Sequence, residues 1–70
     1  MEKFLEAKLR QAEAKLPTAA GYQREALVAG LSLGRTMLGY YRSPERERPA
    51  DFEKRVSRAL LLIGEGGAFD

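Results

Sequence analysis

Five arginines in the middle of the chain are the residues whose type and spacing best suit binding chemistry. They are Arg24, Arg35, Arg42, Arg46 and Arg48. On a helix that turns about 100° per residue, the first three fall within about 20° of one another, and we call these three the basic ridge. The last two follow closely, after a pair of tyrosines at positions 40 and 41. Cationic and aromatic side chains in this arrangement are typical of surfaces that bind a phosphate backbone, so all five are candidate contacts to an anion or a nucleic acid.

Two other interpretations of the basic ridge compete with nucleic-acid binding. An arginine at the border of an apolar face often lays its aliphatic stem over the core and keeps its charge in water. Glu2, Glu6 and Glu13 also gather on one edge of the first predicted helix, where they could neutralise the ridge within a subunit or across an interface. The net charge is only +2, and no helix-turn-helix or similar module is evident. Nucleic-acid binding is therefore the alternative hypothesis and not the leading one.

The residue types that most often act in catalysis are missing, because the chain has neither His nor Cys. Ser32, Ser43 and Ser57 are the remaining candidate nucleophiles, and none stands beside an identifiable base. Asp51 and Glu53 are two positions apart, which directs them to different sides of a helix and favours a role as complements of the helix dipole. Carboxylates alone, without an oxygen-rich loop to carry them, predict no metal site. We expect no cofactor and no independent enzymatic activity.

Three amphipathic helices are the elements that must position these side chains. In the first and third segments, apolar residues repeat at the 4-3-4 spacing of one helical stripe. Pro17 ends the first segment and Pro44 ends the second. Thr18 is the expected N-cap of the second helix, and Gly64 is the expected C-cap of the third. The predicted helices cover residues 2–16, 19–42 and 49–63.

The second helix is predicted to be long and central. Its apolar residues span about 200° of the helix circumference, against about 100° for an ordinary surface helix. That arc could serve two neighbours of the same chain, or one neighbour and a second subunit. Both connections are short, so consecutive helices should run antiparallel. The sequence thus predicts an all-α fold: a three-helix antiparallel bundle over residues 1–64, followed by a flexible Gly-rich tail at 65–70, in which Phe69 could dock.

Homo-oligomerisation is predicted to complete this bundle. A domain of 70 residues buries only about 60% of the surface of its unfolded chain, and neither a disulfide nor a metal is available to compensate. Ala26, Gly30 and Gly34 repeat at a spacing of four, which lets another helix approach closely and more often marks a crossing within one chain. Leu61 points about 180° away from the apolar stripe of the third helix. The predicted protein interface comprises Leu27, Gly30, Leu31, Gly34, Leu38 and Leu61.

These patterns predict a small non-enzymatic interaction protein that works as a scaffold, an adaptor or a regulatory subunit. Its expected partner is a second copy of itself, in a homodimer or a higher oligomer, and another protein, such as an enzyme to which it is an accessory or an inhibitor, would use the same surface. No run of about 20 apolar residues and no secretory signal is present, so we expect a cytoplasmic protein without membrane contact. The preference for Arg over Lys and the lack of Asn suggest a bacterial or phage origin with a GC-rich genome.

Overall fold

Apolar side chains at helical spacing give this chain three α-helices, and the computed structural model describes residues 1–69. Leu5, Leu9 and Ala12 are buried along one face of the first helix, as their 4-3-4 spacing predicts. The helices are α1 (Glu2–Lys15), α2 (Gly21–Arg42) and α3 (Phe52–Glu65), with a short 3₁₀ turn at Leu16–Thr18. The described residues contain no strand. The predicted all-α three-helix bundle is confirmed, and each helix boundary lies within three residues of its predicted position.

The long helix α2 packs against both α1 and α3, and α1 and α3 also contact each other. Arg42, at the end of α2, reaches Glu2 at the start of α1, so these two helices run antiparallel. The hydroxyl of Tyr22, near the start of α2, donates to a carboxylate oxygen of Glu65, at the end of α3, over 2.7 Å. Therefore α3 is also antiparallel to α2, and α1 and α3 lie side by side in the same direction.

Two glycines allow α2 to cross its neighbours closely. A methyl group added at Gly30 would lie 2.8 Å from Cγ1 of Ile63, and one added at Gly34 would lie 2.5 Å from Cδ2 of Leu9. Both glycines are buried, and Ala26, which precedes them at the same spacing, is buried as well. The small-residue spacing therefore marks a tight crossing within the chain, which is the more frequent of its two predicted meanings.

The ends of α2 and α3 differ from the predicted helix ends. Thr18 is not the N-cap of α2, because it lies in the 3₁₀ turn and its hydroxyl donates to the carbonyl oxygen of Lys15. Ala20 takes the N-cap position without a side-chain hydrogen bond. At the start of α3, the carbonyl oxygen of Pro49 accepts from the amide of Phe52 in a turn, and the helix begins three residues later than predicted.

The tail that was predicted to be flexible packs against the bundle up to Phe69. Helix α3 continues past the predicted cap at Gly64, and the chain turns at Gly67, whose φ of +83° suits glycine. Gly66 is buried against Leu27, and the Phe69 ring lies against Gly64. Asp70, the last residue of the predicted tail, lies outside the described residues.

The bundle is elongated, with principal extents of 37, 19 and 15 Å. The long dimension follows α2, because 22 residues rise about 33 Å at 1.5 Å each. Within residues 1–69, no helix combines the length and the apolar character that crossing a membrane requires.

Candidate interaction surface

The basic ridge is largely neutralised by the acidic edge of α1. Nη2 of Arg35 donates to Oε1 of Glu13 over 2.7 Å. Arg42 donates to Glu6, and its Nε also lies 3.9 Å from a carboxylate oxygen of Glu2. The chain thus satisfies two of the three ridge arginines internally, in agreement with one of the two competing interpretations of the ridge.

Arg46 and Arg48, the other two candidate anion contacts, stack on aromatic rings in the connection between α2 and α3. The guanidinium carbon of Arg46 lies 4.4 Å from the Tyr40 ring centroid. That of Arg48 lies 4.5 Å from the ring of Phe52 and 4.9 Å from the ring of Tyr41. Neither arginine forms an ion pair with another described residue.

The structure does not bring the five candidate arginines together on one surface. Arg24 lies 18 positions before Arg42 on α2, which corresponds to about 27 Å along the helix axis. It forms no ion pair within the part of the chain that the structure describes. Any anion contact by Arg24 is therefore separate from one made by Arg46 and Arg48.

The polar residues considered for catalysis are spread over the surface. Asp51 accepts a hydrogen bond from Nε of Arg55 over 3.0 Å at the start of α3, and Glu53 lies in the first turn of that helix. Among residues 1–69 no side chain with a polar or charged group is buried. The same residues contain no cluster of three or more carboxylates that could hold a metal ion. The described part of the chain therefore offers neither a buried acid–base pair nor a metal-binding cluster.

Five of the six residues predicted to form a protein interface lie inside the bundle. Buried residues on α2 account for all five, and they are Leu27, Gly30, Leu31, Gly34 and Leu38. They occupy the contacts between α2 and the other two helices, because the wide apolar arc serves two neighbours of the same chain. Leu61, the sixth, is 60% exposed on α3. Of the six, Leu61 is therefore the residue that the folded chain leaves exposed to a partner.

Three large exposed apolar side chains lie on α1, on α3 and in the tail that follows α3, and Lys8 contacts the two aromatic ones. The ammonium nitrogen of Lys8 lies 5.4 Å from the ring centroid of Phe4 and 4.6 Å from that of Phe69. The Phe69 ring rests against Gly64, and Leu61 lies one helical turn before that glycine. Phe4 is 50% exposed and Phe69 is 45% exposed. We call Phe4, Lys8, Leu61 and Phe69 the α1–α3 surface.

Two of the four members of this surface, Phe4 and Phe69, were not among the candidates from the sequence. Phe4 stands outside the apolar stripe of α1 and four positions before Lys8, so these two share one flank of the helix. This position outside the apolar stripe was the feature of the sequence from which the exposure of Phe4 could have been predicted. Docking of Phe69 was one of the two expectations for the tail, but nothing in the local pattern indicates that it docks on α3.

Unlike charges stand at opposite ends of the α1–α3 surface. Lys8 lies at the end formed by Gly64 and Phe69, and its only hydrogen bond among the described residues goes to the side-chain oxygen of Gln11. Glu53 lies at the other end, where it lines a shallow cleft together with Met1 and Ser57. Within residues 1–69 neither Lys8 nor Glu53 forms an ion pair.

No protein-family model, curated protein or solved structure shows a significant match to this chain.

Proposed function

We propose that this chain is a small non-enzymatic interaction protein that acts as an adaptor, scaffold or regulatory subunit through its α1–α3 surface. The observation that carries the proposal is the group formed by Phe4, Leu61 and Phe69. These side chains are each about half exposed, and Lys8 lies over the two aromatic rings, on a bundle whose helices have already buried their other apolar faces. Exposed apolar side chains that cluster in this way are typical of contact sites between proteins.

The strength of such a contact can be gauged from the area that remains exposed. Complete burial of a large apolar side chain contributes about 1.5–3 kcal/mol, so covering the exposed half of three of them supplies about 2–4 kcal/mol. A dissociation constant of 1 μM requires about 8 kcal/mol. The residues around these three side chains must therefore contribute as well, and we expect association in the micromolar range or weaker.

In-cell photo-crosslinking tests this proposal directly. A photoreactive amino acid replaces Leu61 in one full-length variant and Phe4 in a second. Val28, which is 49% exposed on α2 and lies away from the α1–α3 surface, is replaced in the control. We expect discrete adducts from positions 61 and 4 and none from position 28. Equal labelling at all three positions, or no discrete adduct at 61 and 4, would contradict the proposed function.

The mass of the adduct identifies the class of partner. A product at a whole multiple of the chain mass of 7.8 kDa indicates further copies of this chain, and twice that mass indicates a homodimer; any other discrete mass indicates a different protein. Both results support an interaction function, and they separate the kinds of partner that the sequence suggests.

Nucleic-acid binding is a second candidate function, and it is favoured by the stacking of Arg46 and Arg48 on aromatic rings. Their guanidinium groups are held in place without a carboxylate partner among the described residues, so they can meet a phosphate. If they do, affinity for a short duplex should fall steeply as salt is raised, and Arg46→Glu with Arg48→Glu should abolish binding. Arg24→Glu combined with Arg58→Glu is the control, because it makes the same change in net charge away from Arg46 and Arg48. Binding that persists in the double variant would exclude this site.

A further inference from the structure

We propose that the partner on the α1–α3 surface is a second copy of this chain, docked about a two-fold axis with the helices of the two copies antiparallel. In this dimer Lys8 of each copy faces Glu53 of the other copy. The inference rests on the proposed function, because it names the partner that the same surface binds.

The positions of the two charges along the surface favour this arrangement. Lys8 lies at the level of Gly64, through its contact with Phe69, and Glu53 lies 11 residues before Gly64 on α3. At 1.5 Å per residue this separates the two charges by about 16 Å along the helix. Phe4 and Leu61 belong to the stretch between them.

A two-fold axis that passes through that apolar stretch perpendicular to the helices exchanges the two ends of the surface. Each copy then presents its lysine to the carboxylate of the other, and the same contact occurs twice, as an isologous interface requires. Parallel docking of the same surfaces would instead place Lys8 against Lys8 and Glu53 against Glu53. The antiparallel arrangement covers the apolar side chains of both copies and gives both unpaired charges a partner.

The size of the molecule is compatible with such a dimer. The principal extents are 37, 19 and 15 Å, and the long direction is that of the helices. A rectangle of the two larger extents covers about 700 Å², close to the roughly 800 Å² per partner that stable protein interfaces cover. The residues that flank the α1–α3 surface on both helices must therefore take part in the contact.

Charge reversal at the two ends provides a sharp test. The variants are Lys8→Glu, Glu53→Lys, and the double variant, each in the full chain and each checked for helix content by circular dichroism. Arg24→Glu is the matched control, because it makes the same change of charge as Lys8→Glu but lies beside Val28 on α2, away from the α1–α3 surface. Sedimentation equilibrium over a wide concentration series then measures the dimer dissociation constant.

We expect the wild-type chain and Arg24→Glu to form a dimer of twice 7.8 kDa with similar dissociation constants. Each single reversal replaces two unlike contacts by two like ones and should weaken the dimer about tenfold. The double variant should recover the wild-type constant. An equimolar mixture of the two single variants should also recover it, since both pairs are again unlike in the heterodimer.

A wild-type chain that is monomeric at every concentration would overturn the inference. A dimer that is insensitive to both reversals, or that the mixture does not restore, would overturn it as well, because it would have to use another face or another direction. A monomer that still gives a discrete photo-crosslink from Leu61 to a different protein refutes the second copy and leaves the proposed function standing. A monomer without a crosslink refutes both.

Discussion

The close crossing of α2 and α3 predicts opposite effects for the same substitution at two glycines of one helix. Gly30 and Gly39 both lie in α2, and alanine at a helix-interior position is favoured over glycine by about 1 kcal/mol. A methyl group at Gly39 would lie 3.5 Å from a guanidinium nitrogen of Arg46, which is an ordinary contact with a flexible side chain. Gly39→Ala should therefore raise the free energy of unfolding by about 0.5–1 kcal/mol.

At Gly30 the steric cost exceeds this gain. The added methyl would lie 2.8 Å from Cγ1 of Ile63, 3.1 Å from the amide nitrogen of Ile63 and 3.2 Å from the carbonyl oxygen of Ala59. Two of these atoms are backbone atoms of α3, so the contact can relax only if the helix moves. Overpacking of this kind costs about 1–3 kcal/mol. After subtraction of the helix preference, Gly30→Ala should lower the free energy of unfolding by as much as about 2 kcal/mol.

Urea denaturation followed by far-UV circular dichroism measures both variants against the wild-type chain. The measurements are made at two protein concentrations, so that association does not enter the comparison. In thermal scans, each kcal/mol corresponds to about 4–8 °C for a domain of this size. If Gly30→Ala were as stable as Gly39→Ala, α2 and α3 would have to lie further apart than the structure shows.

Three further predictions concern the core, the surface ion pairs and a tyrosine. Leu5→Ala should lower the free energy of unfolding by about 2–5 kcal/mol, because Leu5 is fully buried. Leu61→Ala should change it by less than about 0.5 kcal/mol, because Leu61 is exposed. Urea denaturation compares the two variants. Arg42→Gln should lower the free energy of unfolding by at most about 1 kcal/mol, because the ion pairs of Arg42 are about half exposed. The loss should be smaller in high salt. Denaturation at two salt concentrations measures it. The hydrogen bond to Glu65, and then its charge, raise the pKa of Tyr22 above the ordinary value of 10.0. The stabilisation is therefore present below that ordinary pKa and is lost as pH rises through the raised one; NMR titration should show the pKa of Tyr22 moving back toward 10.0 in Glu65→Gln.

The helices themselves were predictable because their signal is local. The spacing of Leu5, Leu9 and Ala12 identifies α1 without knowledge of any other element, and each of the three helices was placed within three residues at both ends. The caps were less predictable. Thr18 has a suitable side chain for an N-cap, but Pro17 continues the chain into a 3₁₀ turn in which the Thr18 hydroxyl binds backward to Lys15.

The exposed surface was harder to predict because it depends on how helices lie beside one another. The phase of Leu61 on α3 was enough to place it outside the core. The width of the apolar arc on α2 was not enough to assign Leu27 or Leu31, since an arc of about 200° fits two neighbours of the same chain as well as one neighbour and a subunit. Phe4 and Phe69 meet at Lys8 only because α1 and α3 are parallel neighbours and the tail turns back at Gly67, and no single helical pattern contains that information.

The register between α1 and α2 determines which arginines of the basic ridge find a carboxylate partner. Glu6 and Glu13 are seven residues apart on α1, and their partners Arg42 and Arg35 are seven residues apart on α2 in reverse order, so one antiparallel register satisfies both pairs. The equal spacing was visible in the sequence, although the register that makes it meaningful was not. In the same register Arg24 lies beyond the end of α1, because α1 has 14 residues and α2 has 22. The ridge is therefore interrupted for a geometric reason. The phosphate-binding role proposed above rests instead on Arg46 and Arg48, which stack on aromatic rings outside the ridge.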